Sequence, residues 1–250
     1  MKRALIVGGA NGIGLSIATE LVKRETIEKV YIVDKACVAK EYLNSKFECY
    51  QFDLTQEDYS IFDKFQDIDT LMITAGFGRL QLFKDVDERM IAKSFDVNTI
   101  SAMRIIKRFY DKLESDNDFY CGVMVSIAGF MSSPFFSIYA ATKAALKIFI
   151  ESVNVELLKA GSSNRILNVS PGSIKGTSFN SEKTNLDQIS SLALAIIEEL
   201  ESKNDLFIPE YEQVFKNVLS RYHADFRAEG AHSYEYKFCL LYTSPSPRDA

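Results

Sequence analysis

The stretch Arg3-Ala-Leu-Ile-Val7-Gly8-Gly-Ala-Asn11-Gly12-Ile13-Gly14-Leu15 decides the fold. Arg3 to Val7 is a short apolar run ending in β-branched residues, and Leu15 to Arg24 repeats its apolar positions at helical spacing. Strand, glycine turn and helix, in that order, are the context in which a glycine motif carries meaning. Glycines let the backbone approach a pyrophosphate closely, and a helix N-terminus offers unpaired N–H groups and a favourable dipole. A tight turn with no ligand is the plainer alternative. A second strand, Lys29-Val-Tyr-Ile-Val33, closes at Asp34, twenty residues after Gly14. A carboxylate there can accept hydrogen bonds from an adenosine ribose. An aspartate at a strand end is otherwise a turn or cap residue.

Working outward, the pattern repeats. A helix-like stretch (Ala36 to Ser45) leads to a strand from Phe47 to Phe52, closed by Asp53-Leu54. A second helix-like segment, Gln56 to Phe65, precedes the strand Thr70-Leu-Met-Ile73, which runs into Thr74-Ala75-Gly76. The long segment Val86 to Leu113 reads as helix and contains Asn98; an apolar strand then ends at Ser126. A helix from Tyr139 to Leu158, a strand from Arg165 to Val169, and Ser170-Pro171-Gly172 follow. Thr184 to Leu200 reads as helix, Asp205 to Ile208 as a last strand and Glu210 to Tyr222 as a further helix. Alternating strands and helices imply βαβ units. The expected fold is α/β, a single domain with a doubly wound, mostly parallel sheet and helices on both faces. Gly8, Asp34, Asp53, Gly76, Ser126 and Pro171 then all fall at or just beyond strand ends, where such sheets bind ligands.

Tyr139 and Lys143 are four apart and share a helix face. A free tyrosine titrates near pH 10 and is a poor base. A nearby ammonium favours the phenolate and brings the group into range for proton transfer. Ser126 can offer its hydroxyl to a substrate oxygen.

Composition excludes several classes. The chain has 250 residues, 47% apolar and 25% charged, with a net charge of −5 and no basic stripe of the kind nucleic acid requires. Cys37, Cys49, Cys121 and Cys239 show no metal-ligand or disulfide-framework spacing, so no metal is expected. No apolar run approaches the roughly 18 residues of a membrane span, and Ala4 to Val7 is too short for a signal peptide. The chain reads as cytoplasmic, with no membrane or nucleic-acid partner.

In combination, Gly8-x-x-x-Gly12-x-Gly14, Asp53, Ala75-Gly76, Asn98, Ser126, Tyr139-x-x-x-Lys143 and Pro171-Gly172 resemble the short-chain dehydrogenase/reductase family, in its single-domain NAD(P)-dependent branch. The likeness runs from Lys2 to about Tyr222, and Ser126 stands thirteen residues before Tyr139, as in the family pattern. The resemblance implies a Rossmann-like domain over residues 1–238 that interconverts an alcohol and a carbonyl. In it Tyr139 is the acid/base, Ser126 polarises the carbonyl, and Lys143 lowers the tyrosine pKa and binds the nicotinamide ribose. Asn98 holds a water that continues a proton relay. Cofactor contacts would come from Gly8, Asn11, Gly12, Ile13 and Gly14, then Asp34. Asp53 and Leu54, Ala75 and Gly76, Tyr139 and Lys143, and Pro171, Gly172 and Ile174 complete them. The family also implies a homodimer or homotetramer built through the helices of Ile91 to Phe109 and Ala140 to Leu157.

Three positions depart from the family pattern. Val7 replaces a usual threonine, Thr74 replaces a common asparagine, and Thr177 falls one place late after Pro171-Gly172. The first two are each expected to cost around 1 kcal/mol of local support. Asp34 would repel the 2′-phosphate of NADP, by roughly 4 kcal/mol at 4 Å and an effective dielectric near 20. Lys35 offers partial compensation, so NAD is the expected cofactor and NADP the possible one. Phe130, Met131, Phe135 and Phe136 suit an apolar substrate wall, and Ser173 to Leu186 suits a lid. Residues 239–250, with Pro245 and Pro247, read as a translated sequencing-library adapter and stand outside the domain. The alternative function is a dinucleotide-binding sensor or scaffold without turnover.

Overall fold

The computed structural model describes residues 1–177 and 183–243, with side chains to Cys239. Seven strands form a parallel sheet: β1 (Arg3–Val7), β2 (Lys29–Asp34), β3 (Phe47–Gln51), β4 (Thr70–Ile73), β5 (Tyr120–Met124), β6 (Ile166–Val169) and β7 (Leu206–Phe207). Their order is β3-β2-β1-β4-β5-β6-β7. β1 pairs with β2 on one side (Leu5 opposite Tyr31) and with β4 on the other (Leu5 opposite Leu71). The winding direction reverses between β1 and β4, which opens a crevice at their carboxyl ends.

β1 shows why the sheet is covered on both faces. Successive side chains of a strand point to opposite sides. Ala4 and Ile6 join Leu15, Ala18, Ile196 and Leu200 in one core, while Leu5 and Val7 join Phe62, Ile105, Leu146 and Ile150 in the other. The first core is built on α1 (Gly12–Val22) and α6 (Leu186–Glu201). The second rests on α3 (Ser101–Arg108) and α5 (Ser137–Lys159). Each fully buried Leu, Ile or Phe contributes about 1.5 to 3 kcal/mol.

Two expected helices are not α-helices. Between Ala36 and Ser45 there is a single 3-10 turn, Lys40–Tyr42, flanked by extended Ala39 and Leu43. Val38 is the only buried residue of that stretch, so no apolar stripe holds a helix against the sheet. Between Gln56 and Phe65 the chain forms a 3-10 turn at Ser60–Lys64. Residues three apart eclipse in that tighter winding. It lines up Tyr59, Phe62 and Phe65, each at most 1% exposed, and sets Phe52 edge-on to the first two at 5.3 and 5.5 Å.

The segment Val86 to Leu113 is helical but interrupted. α2 (Glu88–Phe95) passes through a π turn (Asp96–Ile100) into α3, and α4 (Tyr110–Glu114) follows. π turns inside helices occur often at functional sites, and this one carries Asn98. At the C-terminal end, the expected helix from Glu210 to Tyr222 begins as a π turn (Tyr211–Phe215) and continues as α7 (Lys216–Ala224). An unanticipated helix, α8 (Phe226–Thr243), comes next and runs across residue 239. No helix among the described residues is long and apolar enough to cross a membrane.

Candidate active site

The glycine turn sits at the reversal point between β1 and β4. Gly8 has φ +86° and its N–H donates to Val33 O at 2.8 Å. A Cβ on Gly8 would lie 2.5 Å from the Ala75 nitrogen, so the turn and the loop after β4 are in direct backbone contact. Gly12 also has positive φ, +54°, at the first position of α1. Asn11 is the extended N-cap and is exposed, while Ile13 packs against the α1 core. This glycine cradle at a helix N-terminus fits a pyrophosphate.

Thr74 supports the glycine turn despite its departure from the family pattern. The Thr74 hydroxyl lies 3.0 Å from Val7 O and 2.9 Å from Gly8 O, sharing one proton between them. A threonine thus ties β4 to the glycine turn without an amide. Thr184, the expected first residue of a helix, lies just before α6, and its hydroxyl accepts from the Gly12 N–H at 3.0 Å, across 172 residues. No local pattern marks a hydroxyl for such a role. Thr177, the displaced threonine, donates to Ile174 O at 2.9 Å, and its side chain reaches to within 4.0 Å of where a Gly12 Cβ would stand. Ser178, Asn180 and Ser181, assigned to the lid, lie outside the described residues.

Asp34 ends β2 and turns its carboxylate onto the glycine turn. One oxygen accepts from Ala10 N and the other from Ala36 N, both at 3.0 Å. Asp53 is exposed beyond β3 and caps its own turn through Thr55 N–H and hydroxyl, which hold its pKa below the usual value. Leu54 packs beneath it against the aromatic core.

The chemistry-bearing residues meet on the other side of the crevice. Asn98, 1% exposed, bonds the backbone of Phe77 twice, accepting from its N–H and donating to its carbonyl, both at 2.9 Å. Its amide also donates to Thr142 Oγ1 at 3.2 Å, and Thr99 Oγ1 donates to Thr142 O at 2.9 Å. The π turn is thereby fastened to the loop after β4 and to α5. A Cβ on Gly76 would stand 3.3 Å from both Asn98 Oδ1 and Lys143 Nζ, a tight contact that places the glycine directly beside both groups. Ser126, beyond β5, accepts from Ala128 N at 3.1 Å and lies 3.5 Å from Pro171 O. Pro171 O also accepts from Ile127 N at 3.0 Å, which brings the ends of β5 and β6 together. Gly172 abuts Phe215: a Cβ there would fall 2.7 Å from its ring.

Tyr139 and Lys143 share the inner face of α5. Lys143 is 2% exposed and donates to Met124 O at 2.8 Å, with Nζ 5.7 Å from the Tyr139 ring centre. Burial pushes the Tyr139 phenol up to about 12, while its hydrogen bond with Ser126 pulls the other way. Burial pulls the Lys143 ammonium down to about 7. In the protein alone, desolvation therefore outweighs the expected effect of the amine on the phenol. The Lys143 shift carries a stability consequence. Between about pH 7 and 10.5 the unfolded chain binds the proton that the folded chain has released, so this group's contribution rises with pH across that window. Lys143→Met is accordingly expected to raise the melting temperature of the ligand-free protein by on the order of 5 °C at about pH 6, and by much less near pH 10. Melting curves at the two pH values check this; an equal gain at both would remove burial of the charge as the cause.

The aromatic substrate wall is partly as expected. Phe135 (φ +65°) and Phe136 line a cleft together with Tyr139, and Phe136 sits edge-on to the Tyr139 ring at 5.9 Å. Phe130 instead lies under Lys147, 4.9 Å from its ammonium. α8 braces this wall: Tyr234 packs on Phe135 at 4.7 Å, and Lys237 donates to Ser133 Oγ and Pro134 O.

The chain matches the short chain dehydrogenase family over residues 2–187 and belongs to it. It is 28% identical over 221 residues to an uncharacterized oxidoreductase of Saccharomyces cerevisiae, spanning 79% of this chain and 70% of the yeast protein. It is 25% identical over 232 residues to retinol dehydrogenase 8 of Bos taurus, spanning 87% of this chain and 73% of that protein. A Burkholderia cenocepacia short chain dehydrogenase in complex with NADP superposes with a TM-score of 0.75 at 21% identity, over 93% of this chain and 99% of that one. A Burkholderia phymatum short chain dehydrogenase/reductase in complex with NAD gives 0.75 at 16% identity, over 91% of this chain and 95% of that one. These last two likenesses concern the fold. The chain is an oxidoreductase of a nicotinamide-dinucleotide-dependent family.

Proposed function

We propose that the chain interconverts a secondary alcohol and its carbonyl with NAD, using Tyr139 as acid/base. The observation that carries this reading is the Tyr139 phenol hydrogen-bonded with Ser126 on the wall of a cleft, with Lys143 buried beside it on the same helix face. The nicotinamide supplies or takes the hydride when it is bound. Tyr139 donates its proton to the substrate oxygen in reduction and takes it back in oxidation. A phenol pushed up to about 12 already carries that proton at neutral pH. Ser126 adds a second donor at the same oxygen, where negative charge develops in the transition state. Lys143 has one N–H on Met124 O, which leaves two donors to hold a ribose or the phenol. Asn98 contributes by fixing the Phe77 backbone and hence Gly76 beside the amine. A panel of secondary alcohols with NAD, followed at the NADH absorbance, tests the reading. Dinucleotide binding without turnover across the panel would favour a sensor.

The NAD preference rests on Asp34, whose carboxylate is held at the end of β2 by Ala10 and Ala36. Asp34→Asn keeps an oxygen for one of these N–H groups and removes the charge. It is expected to raise the NADP-to-NAD ratio of kcat/KM by about tenfold, since partial exposure reduces the full Coulomb figure. Steady-state kinetics with both nucleotides decide it, and an unmoved ratio would reassign the preference. A homo-oligomer is also proposed. Ile148, Val155 and Leu158 are 58%, 58% and 59% exposed at helical spacing on α5, which supports burial against a second copy.

A further inference from the structure

The cleft that Tyr139 helps to line lies between the loop after β4, α2 and the chain leading into α5. Its walls are mostly apolar, with Phe77, Val86, Met90, Phe135 and Ile138 among them. Arg79 is the one charged residue among the described lining residues. It is exposed and makes no hydrogen bond or ion pair among the described residues.

Lys143, Lys147 and Lys237 are committed elsewhere. Lys143 is on Met124 O, Lys147 is paired with Glu151, and Lys237 is on Ser133 and Pro134. The acids that follow Arg79 in the chain do not neutralise it either. Asp87 holds Arg89, and Asp85 lines no part of the cleft. A guanidinium left without a partner on the wall of an apolar cleft presents a planar fork of donors that matches a carboxylate in two parallel hydrogen bonds.

We infer that the substrate is amphipathic: a carbonyl or hydroxyl at Tyr139, an apolar body along the cleft, and a carboxylate held by Arg79. This rests on the alcohol–carbonyl reading of the same site and specifies its substrate class. The apolar walls account for retention of the body, and the guanidinium selects the acid over an uncharged chain of equal length. An exposed arginine limits the effect to a modest factor, because solvent screens the pair.

The test uses the full chain with its dinucleotide and a homologous series of aliphatic methyl ketones ending in a carboxylate, each beside its methyl ester. For the best chain length, KM for the acid is expected to lie ~5- to 10-fold below KM for the ester, and added salt should narrow the gap. In Arg79→Gln the ratio should fall to about one, and Arg79→Lys should restore part of it. Calorimetric binding of the same acid–ester pairs to the dinucleotide-loaded protein reads the preference without turnover. Arg79-dependent binding of the acid with no reduction would sink the enzymatic reading and the carbonyl at Tyr139 with it, and would support only the carboxylate contact at Arg79. Reduction of acid and ester with equal KM, or an acid preference that survives in Arg79→Gln, would overturn the inference while the enzyme stands. Neither binding nor reduction of any member would overturn both.

Discussion

Tyr139→Phe is expected to lower turnover by about 10²- to 10⁴-fold, the usual worth of a positioned acid/base, equivalent to about 3 to 5 kcal/mol of barrier. Fold and dinucleotide binding should survive. The ring keeps its edge-on contact with Phe136, and the Ser126 hydroxyl, which loses its phenol partner, still accepts from Ala128 N–H. The loss therefore isolates the proton at the substrate oxygen. Turnover of a responsive alcohol by wild type and variant, beside dinucleotide titration of both, provides the measurement. Wild-type turnover in the variant would show that some other group handles the proton, and the proposed chemistry would fall.

A second large effect is expected at the cofactor turn. Gly14→Ala looks favourable locally, because alanine is better than glycine within a helix by about 1 kcal/mol. Tertiary contact reverses the sign. The added Cβ would lie 2.3 Å from Gly8 O and 2.4 Å from Thr74 Oγ1. A backbone carbonyl cannot turn aside as a long side chain can, so α1 must move away from the glycine turn. Overpacking of this kind costs typically 1 to 3 kcal/mol, and it displaces the N–H groups that would face a pyrophosphate. The expected result is a melting temperature lower by several degrees, roughly 2 to 4 °C per kcal/mol at this size, together with weakened dinucleotide binding. Adding Thr74→Ala should not rescue either property, since the Gly8 carbonyl remains in place. Thermal melts and nucleotide titrations on the single and double variants decide this; wild-type binding in Gly14→Ala would mean that the helix and turn are not in the described contact.

Much of the fold was legible because its signals are local. β1, β2, β4 and the glycine turn read directly from apolar runs stopped by glycine or aspartate. Their boundaries in the structure, Arg3–Val7, Lys29–Asp34 and Thr70–Ile73, follow those runs. The alternation of strands and helices implied a parallel sheet, and the sheet is parallel throughout its seven strands. The two missed 3-10 turns had no local signature. Tyr59, Phe62 and Phe65 repeat every three residues, a spacing compatible with either winding, and the rings of the sheet face decided between them. α8 was missed for a related reason. It is held by Tyr234 on Phe135 and by Lys237 on the Ser133–Pro134 turn, contacts some hundred residues away in the chain.

The sequence by itself determined the parallel α/β architecture, the glycine turn at its first strand, and the placing of Ser126, Tyr139 and Lys143 around one strand end and one helix face. Such features depend on periodicity and on residue types within a few positions of each other. Tertiary structure alone decided which hydroxyls reach the glycine turn, and it set the π turn that binds Asn98 to Phe77 and Thr142. It also decided that desolvation dominates both the phenol and the amine, and that Arg79 lines an apolar cleft without a partner among the described residues. These follow from long-range packing, where the environment of a side chain is made by segments that share no sequence neighbourhood with it.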